Sequence, residues 1–430
     1  MKTATILAAA LLPALLAGCG GGDADQAHYG PDPRLPKPHR GLLPNMKIAD
    51  PAGWGDRRPT VPDGYTVTAI ATDLKVPRQT LVLPNGDILV AEGKGGHEST
   101  RNPKDLVAGY LKAKGTTSVK GGDRLTLLRD ADGDGRYEGR SVFADNLDAP
   151  YGLALIGHQL YVANQGSLVR FPYRGGETRA AGAPVKVTDL PSEINHHWTK
   201  ALTAGPDGRY LYVGIGSNSN ITENGMAAEV ERARIWQVDP RTGSHRTFAT
   251  GIRNPTALAI EPQTRALFTV ANERDELGSN LVPDYLTSVR DGAFYGWPYS
   301  YWGQHVDSRV KPQDPQKVAA AIAPDYALGN HVAPLGLAFS TPAMGPRFAS
   351  GAFVGEHGSW NRSDPSGYKV VFVPFRDGRP AGKPVDVVTG FRDEGGKTYG
   401  RPVGVTVDPR GALIVADDLS NTVWRIAPAR

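Results

Sequence analysis

The sequence predicts an all-β fold, a six-bladed β-propeller, and three observations carry that expectation. A turn residue, usually with a proline, precedes an apolar run, and this pattern returns six times along the chain. Each copy leads into further segments in which apolar and polar residues alternate between Gly, Asp and Pro turns, the mark of half-buried antiparallel strands. The chain carries 52 glycines and 35 prolines, punctuation for many turns and few long helices. Four-stranded units repeated around an axis make a propeller.

The first copy runs from Val76-Pro77-Arg78 to Leu89-Val90-Ala91-Glu92. The second runs from Ala149-Pro150-Tyr151-Gly152 to Tyr161-Val162-Ala163-Asn164, and the third from His197-Trp198-Thr199 to Tyr212-Val213-Gly214. The fourth runs from Arg253-Asn254-Pro255 to Thr269-Val270-Ala271-Asn272, and the fifth from Ala333-Pro334-Leu335-Gly336 to Phe353-Val354-Gly355-Glu356. The sixth runs from Arg401-Pro402-Val403-Gly404 to Val415-Ala416-Asp417. Too little chain follows it for a fourth strand, so Tyr65-Thr66-Val67-Thr68-Ala69-Ile70 is expected to complete the last blade and leave no open sheet edge. Irregular spacing places long loops at 275–317 and 355–367.

Upstream, Met1-Lys2, an apolar run and Leu16-Ala17-Gly18-Cys19 form a secretory signal ending in a lipobox-like sequence. Residues 1–18 are read as the signal, with Cys19, the single cysteine, as the lipid-bearing residue of an exported, periplasmic, membrane-anchored protein. Residues 19–62, rich in Pro and Gly, read as an extended, weakly ordered tether, and 63–430 as the propeller domain. No other segment is apolar enough to span a bilayer, so membrane contact is expected only through the anchor. With 48 Lys+Arg against 44 Asp+Glu the charge is nearly balanced, which argues against nucleic-acid binding.

In a propeller the first strand of each blade lines the central channel, and the residues just before those strands gather at one mouth. In register with the repeat proline these are His197, Arg253, Asn254 and Arg401, with Arg78 one place later and His331 a few places earlier. Clustered guanidinium groups repel one another unless an anion sits among them, and their forked donors suit carboxylates. The expectation is an acidic ligand at the mouth with a histidine in reach. The same arginines would equally serve to cement the blades by pairing with Glu273, Asp275, Glu276 or Asp417. A further feature, Asp130-Ala131-Asp132-Gly133-Asp134-Gly135, reads as an Asp-Gly hairpin turn or as the start of a Ca²⁺ loop that lacks its closing glutamate, since Ser141 holds that position.

Ile252-Arg253-Asn254-Pro255 with Leu258-Ala259, His197 eight residues before Gly205-Pro206-Asp207-Gly208, and Tyr295-Gly296-Trp297-Pro298 occur in one order along the chain. Together they resemble the glucose and sorbosone dehydrogenases that use pyrroloquinoline quinone (PQQ). Asn272-Glu273-Arg274-Asp275-Glu276-Leu277 and Glu356-His357-Gly358-Ser359-Trp360-Asn361-Arg362 look like the sorbosone branch. The resemblance covers the chain from Tyr65 to Ile426. It implies PQQ and Ca²⁺ over the channel mouth, His197 as catalytic base, and Arg253 and Asn254 beside the quinone. It also implies that Arg401, with Arg78, holds PQQ carboxylates, and that main-chain carbonyls of Arg274, Asp275 and Glu276 bind Ca²⁺. Hydride would pass from a sugar hydroxyl or hydrated aldehyde to the quinone, and electrons onward to a respiratory-chain acceptor. Two departures leave the substrate open: His196 stands where the glucose-oxidising branch has an aspartate, and that branch's PQQ-facing lysine has no match. Other readings are a Ca²⁺-dependent propeller lactonase or hydrolase, and a propeller that only binds.

Overall fold

The computed structural model describes residues 28–39, 46–96 and 114–429. The signal segment and Cys19 lie outside the described residues. Six antiparallel sheets form the ring. The first blade is built from Pro77–Val82, Ile88–Glu92, Arg124–Arg129 and Gly139–Ala144, and the second from Gly152–Ile156, Gln159–Ala163, Ser167–Pro172 and Val185–Asp189. The third has Lys200–Ala204, Leu211–Ile215, Arg234–Val238 and His245–Thr250, and the fourth Pro255–Ile260, Leu267–Ala271, Pro283–Ser288 and Tyr326–Asn330. The fifth has Pro334–Phe339, Gly351–Glu356, Lys369–Arg376 and Val385–Val388. In the sixth, Pro402–Val407, Leu413–Asp417 and Thr422–Pro428 are completed by Tyr65–Ala71. That last strand pairs Tyr65 with Pro428 and Val67 with Ile426, so the ring closes through its N-terminal strand as the sequence predicts.

Burial is most continuous in the second strands of the blades. Second strands such as Ile88–Glu92, Leu267–Ala271 and Leu413–Asp417 are buried along their whole length, because both faces pack on neighbouring blades. The outermost strand Val185–Asp189 is largely exposed. The second strands therefore read as continuous apolar runs.

The recurring Pro-x-Gly of the innermost strands has a steric cause. A methyl group on Gly336 would lie 2.2 Å from the carbonyl oxygen of Val403, and one on Gly404 would lie 2.5 Å from that of Arg78. The backbones of adjacent blades meet there with no room for a side chain. At the same strands the ladder slips by a bulge, between Pro77 and Thr80, Pro255 and Ala257, Pro334 and Gly336, and Pro402 and Val405. The bulge bends the strand where it reaches the mouth.

The stretch read as a tether is extended, but its described residues are fastened to the propeller rather than weakly ordered. Gly30 exchanges both backbone hydrogen bonds with Ala327, and His39 N donates to Leu277 O at 2.9 Å. Lys47 N donates to Trp360 O at 3.0 Å, and Asp50–Pro51 pairs in parallel with Lys397–Thr398. Trp54 fills a hollow among Phe391, Tyr399 and Trp424, with ring centroids 5.3–5.6 Å away. Prolines carry no N–H to leave unpaired, so an extended proline-rich chain can lie on a folded surface at little polar cost.

The long loop expected at 275–317 falls in two parts, one before Pro283–Ser288 and one between that strand and the last of its blade. The second part carries the hairpin Ser300–Tyr301 with His305–Val306 and the helix Pro315–Ala320, capped by Asp314.

Gly336→Ala is expected to lower stability by about 1–3 kcal/mol, the usual cost of overpacking. Gly53→Ala, where an added methyl meets nothing within 4 Å, should stay within about 0.5 kcal/mol of the parent. Thermal unfolding of the two variants side by side checks the difference.

Candidate active site at the channel mouth

The residues that precede the innermost strands do converge. His197 lies before Lys200–Ala204, Arg253 and Asn254 before Pro255–Ile260, His331 before Pro334–Phe339 and Arg401 before Pro402–Val407, while Arg78 is the second residue of Pro77–Val82. The opposite end of the same strands opens into a hollow of about 620 Å³ lined by residues such as Leu81, Leu153, Leu155, Leu258, Ile260 and Val407. The residues lining that hollow carry no titratable side chain, in contrast to the mouth.

His197 is held by its Nδ1 atom, which lies 2.8 Å from Ser217 O and 3.0 Å from Ser217 Oγ. A carbonyl only accepts, and the Ser217 hydroxyl spends its proton on Ser219 O at 2.6 Å. Nδ1 therefore carries the hydrogen, and Nε2 keeps its lone pair. Burial, Arg253, His196 and Arg232 hold the imidazole well below its ordinary value, against the pull of the Ser217 bond. His196 stands edge-on to it, with ring centroids 4.6 Å apart. Gly216 is squeezed between His197 and Asn254; a methyl there would meet Asn254 Oδ1 at 2.4 Å.

Arg253 is almost fully buried, and its donors point into the protein: Nε to Asn220 O, Nη1 to Asn272 O and Glu273 O, and Nη2 to Asn220 Oδ1. Asp275 lies 3.8 Å from it. Arg401 likewise donates to the carbonyls of His357 and Gly358, each at 2.9 Å, with its guanidinium 5.5 Å from the Tyr368 ring centroid. Arg78 pairs with Asp418, and its guanidinium lies 5.5 Å from the Tyr151 ring and 5.3 Å from that of Trp198. Asp418 also accepts from His357 Nε2 at 2.8 Å. Burial raises the Asp418 carboxyl, but His357, Arg78 and Arg401 outweigh it and hold the group far below the usual range. His357 is pushed down to about 4 by burial and by Arg401, so it is neutral.

Of the expected cement, one pair forms in part, Arg253 with Asp275. Asp417 does not pair with Arg401's guanidinium; it accepts the Arg401 backbone N–H at 2.8 Å, and burial lifts its carboxyl to about 6. Burial lifts Glu273 to about 7. Arg78's partner is Asp418, which the repeat pattern did not single out.

The side chains of the expected metal segment diverge. Arg274 is buried against Asp307 at 3.0 Å, and Glu276 turns outward to Arg309 at 2.9 Å. Asp275 accepts from Asn361 at 2.7 Å and lies 3.5 Å from His331 Nδ1. Burial draws His331 down, but the Asp275 contact prevails and its pKa is raised. Glu276 adopts a left-handed backbone (φ 70), which kinks the segment. The carboxylates thus form no shared ligand set, and main-chain carbonyls are what the segment has to offer a cation.

Away from the mouth, Asp130 accepts from the N–H groups of Gly133 at 2.8 Å and Gly135 at 3.0 Å and from Arg410 at 2.8 Å, the bonds of an Asp-Gly turn. Asp132 and Glu138 lie near it. His357, Asp418, Asn361, Asn220 and Arg232 belong to the site without having been singled out. His357 and Asn361 lie inside the Glu356–Arg362 motif, which was the signal available for them.

A family model described as TrAA12-like matches residues 59–287 and 302–429, and the gap falls in the insertion of the fourth blade. An uncharacterized protein of Borreliella burgdorferi is 29% identical over 227 residues, which is 51% of this chain and 60% of that protein. The match thus spans less than two thirds of the curated relative. Among solved structures, the holo form of the PQQ domain of pyranose dehydrogenase from Coprinopsis cinerea superposes with a TM-score of 0.70 at 20% identity, over 86% of this chain and 97% of that one. A calcium structure of the Trichoderma reesei family AA12 enzyme gives 0.69 at 18% identity, over 90% and 99%. The PQQ-bound aldose sugar dehydrogenase of Streptomyces coelicolor gives 0.55 at 16% identity, over 86% and 99%. At these identities the superpositions establish the shared propeller fold. The family match spans nearly all of the propeller, from the residues before its closing strand to the C-terminal strand of the last blade, and the chain belongs to the TrAA12-like family.

Proposed function

We propose that the protein oxidises a sugar with PQQ, His197 serving as the general base. The observation that carries this reading is an imidazole whose Nδ1–H is tied to Ser217, leaving Nε2 as acceptor, with Arg253 among its charged neighbours. The similar structures named for PQQ or sugar dehydrogenases support it.

The mouth suits a polycarboxylate. The hydrogen bonds of Arg401 end on uncharged carbonyls, and Arg78 shares one carboxylate, Asp418, with His357. Arg78 Nε and Asn254 Oδ1 are buried without a partner among the described residues, atoms a ligand would satisfy. Arg78, Arg401 and Asn254 would hold the cofactor, and Tyr151, Trp198 and Tyr368 wall the arginines with aromatic faces. PQQ, when bound, supplies a two-electron oxidant that accepts the hydride lost by the sugar carbon.

What the chain itself does is narrower. His197 Nε2 takes the proton of the substrate hydroxyl, and its lowered pKa keeps it neutral at the start of the reaction. Arg253, fixed by four bonds, keeps a positive charge where negative charge develops on oxygen. His196 shapes the pocket beside the base. The calcium part of the reading rests on the carbonyls of Arg274 to Glu276 around the left-handed turn. The sugar class (an aldose, or a sugar aldehyde such as sorbosone), a respiratory-chain electron acceptor and a periplasmic, Cys19-anchored location belong to the same proposal. Among the described residues no helix is long and apolar enough to cross a membrane.

Reconstitution tests this reading. Protein without its signal, given PQQ and Ca²⁺, should reduce a dye with one or more aldoses or sugar aldehydes, and chelation of Ca²⁺ should abolish turnover until the ion is restored. Lactone hydrolysis without PQQ would mark a hydrolase, and absence of both activities a binding propeller. His197→Ala should lose turnover by about 10²–10⁴-fold while still binding PQQ; normal kinetics in that variant would remove His197 from the base role. Arg401→Gln should weaken PQQ binding about 10- to 100-fold, the worth of one charge-assisted hydrogen bond, measured by fluorescence titration. Because His197 must be neutral and its pKa is lowered, the acid limb of kcat/KM should fall below pH 6.5, the imidazole's ordinary value.

A further inference from the structure

Beneath the segment that carries His197 lie two fully enclosed cations, Lys200 and Arg232, neither of which the proposed chemistry uses. Lys200 Nζ donates to Asn195 Oδ1 and to Trp198 O, each at 2.9 Å. Arg232 donates through Nη1 to Pro191 O at 2.6 Å and Asn195 Oδ1 at 3.3 Å, and through Nη2 to His197 O at 2.9 Å. The same Nη2 faces Ser217 O at 3.5 Å, the carbonyl that receives the His197 Nδ1–H. Neither cation makes an ion pair with a carboxylate among the described residues.

Arg232 stands between two left-handed residues, Glu231 (φ 59) and Ala233 (φ 52). Asn195, the hub both cations share, is left-handed as well (φ 55). Non-glycine residues persist in that region only where their surroundings hold them there. Here the strained turns bring the guanidinium under the histidine segment.

We propose that Arg232 is a positioning residue for His197. By clamping the carbonyls of His197 and Ser217 it fixes which imidazole nitrogen is protonated and where the other points, and Lys200 acts with it through Asn195. This rests on the reading of His197 as the base. The groups around His197 are His196 from its own segment, Gly216 and Ser217 just after the second strand of the blade, Arg232 just before the third, and Arg253 just before the first strand of the next blade. No carboxylate is among them. Glu229 faces Arg232 from behind and accepts the Asn218 N–H at 2.8 Å. Arg232 also lowers the cost of keeping the base neutral, since it opposes a second positive charge beside it.

The test is nitrogen NMR of the imidazoles in the full propeller without cofactor, where the His197 signal is the one absent from His197→Ala. The parent should show a single Nδ1–H form that resists protonation below pH 6.5. Arg232→Gln should show mixed tautomers and a titration midpoint moved up toward 6.5. In the reconstituted enzyme kcat should fall on the order of 100-fold with KM little changed, the signature of a displaced base. Arg232→Lys should recover the low midpoint but not the full rate. If Arg232→Gln does not fold, Lys200→Met, which severs the bonds to Asn195 and Trp198, should shift the tautomer ratio in the same direction. Unchanged tautomer and midpoint in a folded variant would overturn the proposal. The NMR outcome stands apart from turnover, so loss of the base reading through an active His197→Ala would be seen separately.

Discussion

The innermost strands of neighbouring blades touch backbone to backbone, and much else in the molecule follows from that contact. At Gly336 and Gly404 the gap is too small for a methyl group. At those points the blades meet main chain to main chain, and the clustered ionisable side chains lie where the strands begin. Residues far apart in sequence are brought together there for the same reason: Arg78 and Asp418, 340 positions apart, bond directly. The ring has to close for this pair to exist, because one partner lies in the first blade and the other in the last. Closure and the mouth are one structural event.

Charge at the mouth is arranged in two sectors. On one side Arg78, Arg401 and His357 surround Asp418, and the histidine is neutral in spite of its carboxylate partner because burial and Arg401 outweigh it. On the other side His197 has no carboxylate and is neutral by burial and by surrounding cations. Buried guanidinium groups satisfied by carbonyls rather than acids leave positive potential unspent. In a low-dielectric funnel that potential is worth more than it would be at a surface.

Six repeat copies, the closing strand and the gathering of His197, Arg253, Asn254 and Arg401 were all legible, because each depends on local pattern plus one rule of propeller geometry. Asp418 was not, since its partner is set by ring closure and nothing near it in sequence points to Arg78. Arg232 and Lys200 were not singled out; they lie beside left-handed turns at Asn195, Glu231 and Ala233 that no glycine announces. For the described residues of the stretch 19–62, 28–39 and 46–62, composition pointed to an extended chain but not to what that chain lies upon, because proline-rich segments look alike whether free or docked. For the metal segment the expectation named main-chain carbonyls of Arg274 to Glu276, and the carboxylates of Asp275 and Glu276 are engaged with Asn361 and Arg309.

Trp54 gives the N-terminal segment a consequence of its own. Its indole N–H reaches Asp417 Oδ2 at 3.3 Å, and the other oxygen of that carboxylate holds the backbone of Arg401. A single acid thus links a residue outside the ring to an arginine at the mouth. A domain boundary drawn at the first propeller strand, Tyr65, would cut this link and empty an aromatic socket made by Phe391, Tyr399 and Trp424. The segment upstream of the ring is thus part of the same packed unit, and its removal would reach the Arg401 backbone at the mouth through Asp417.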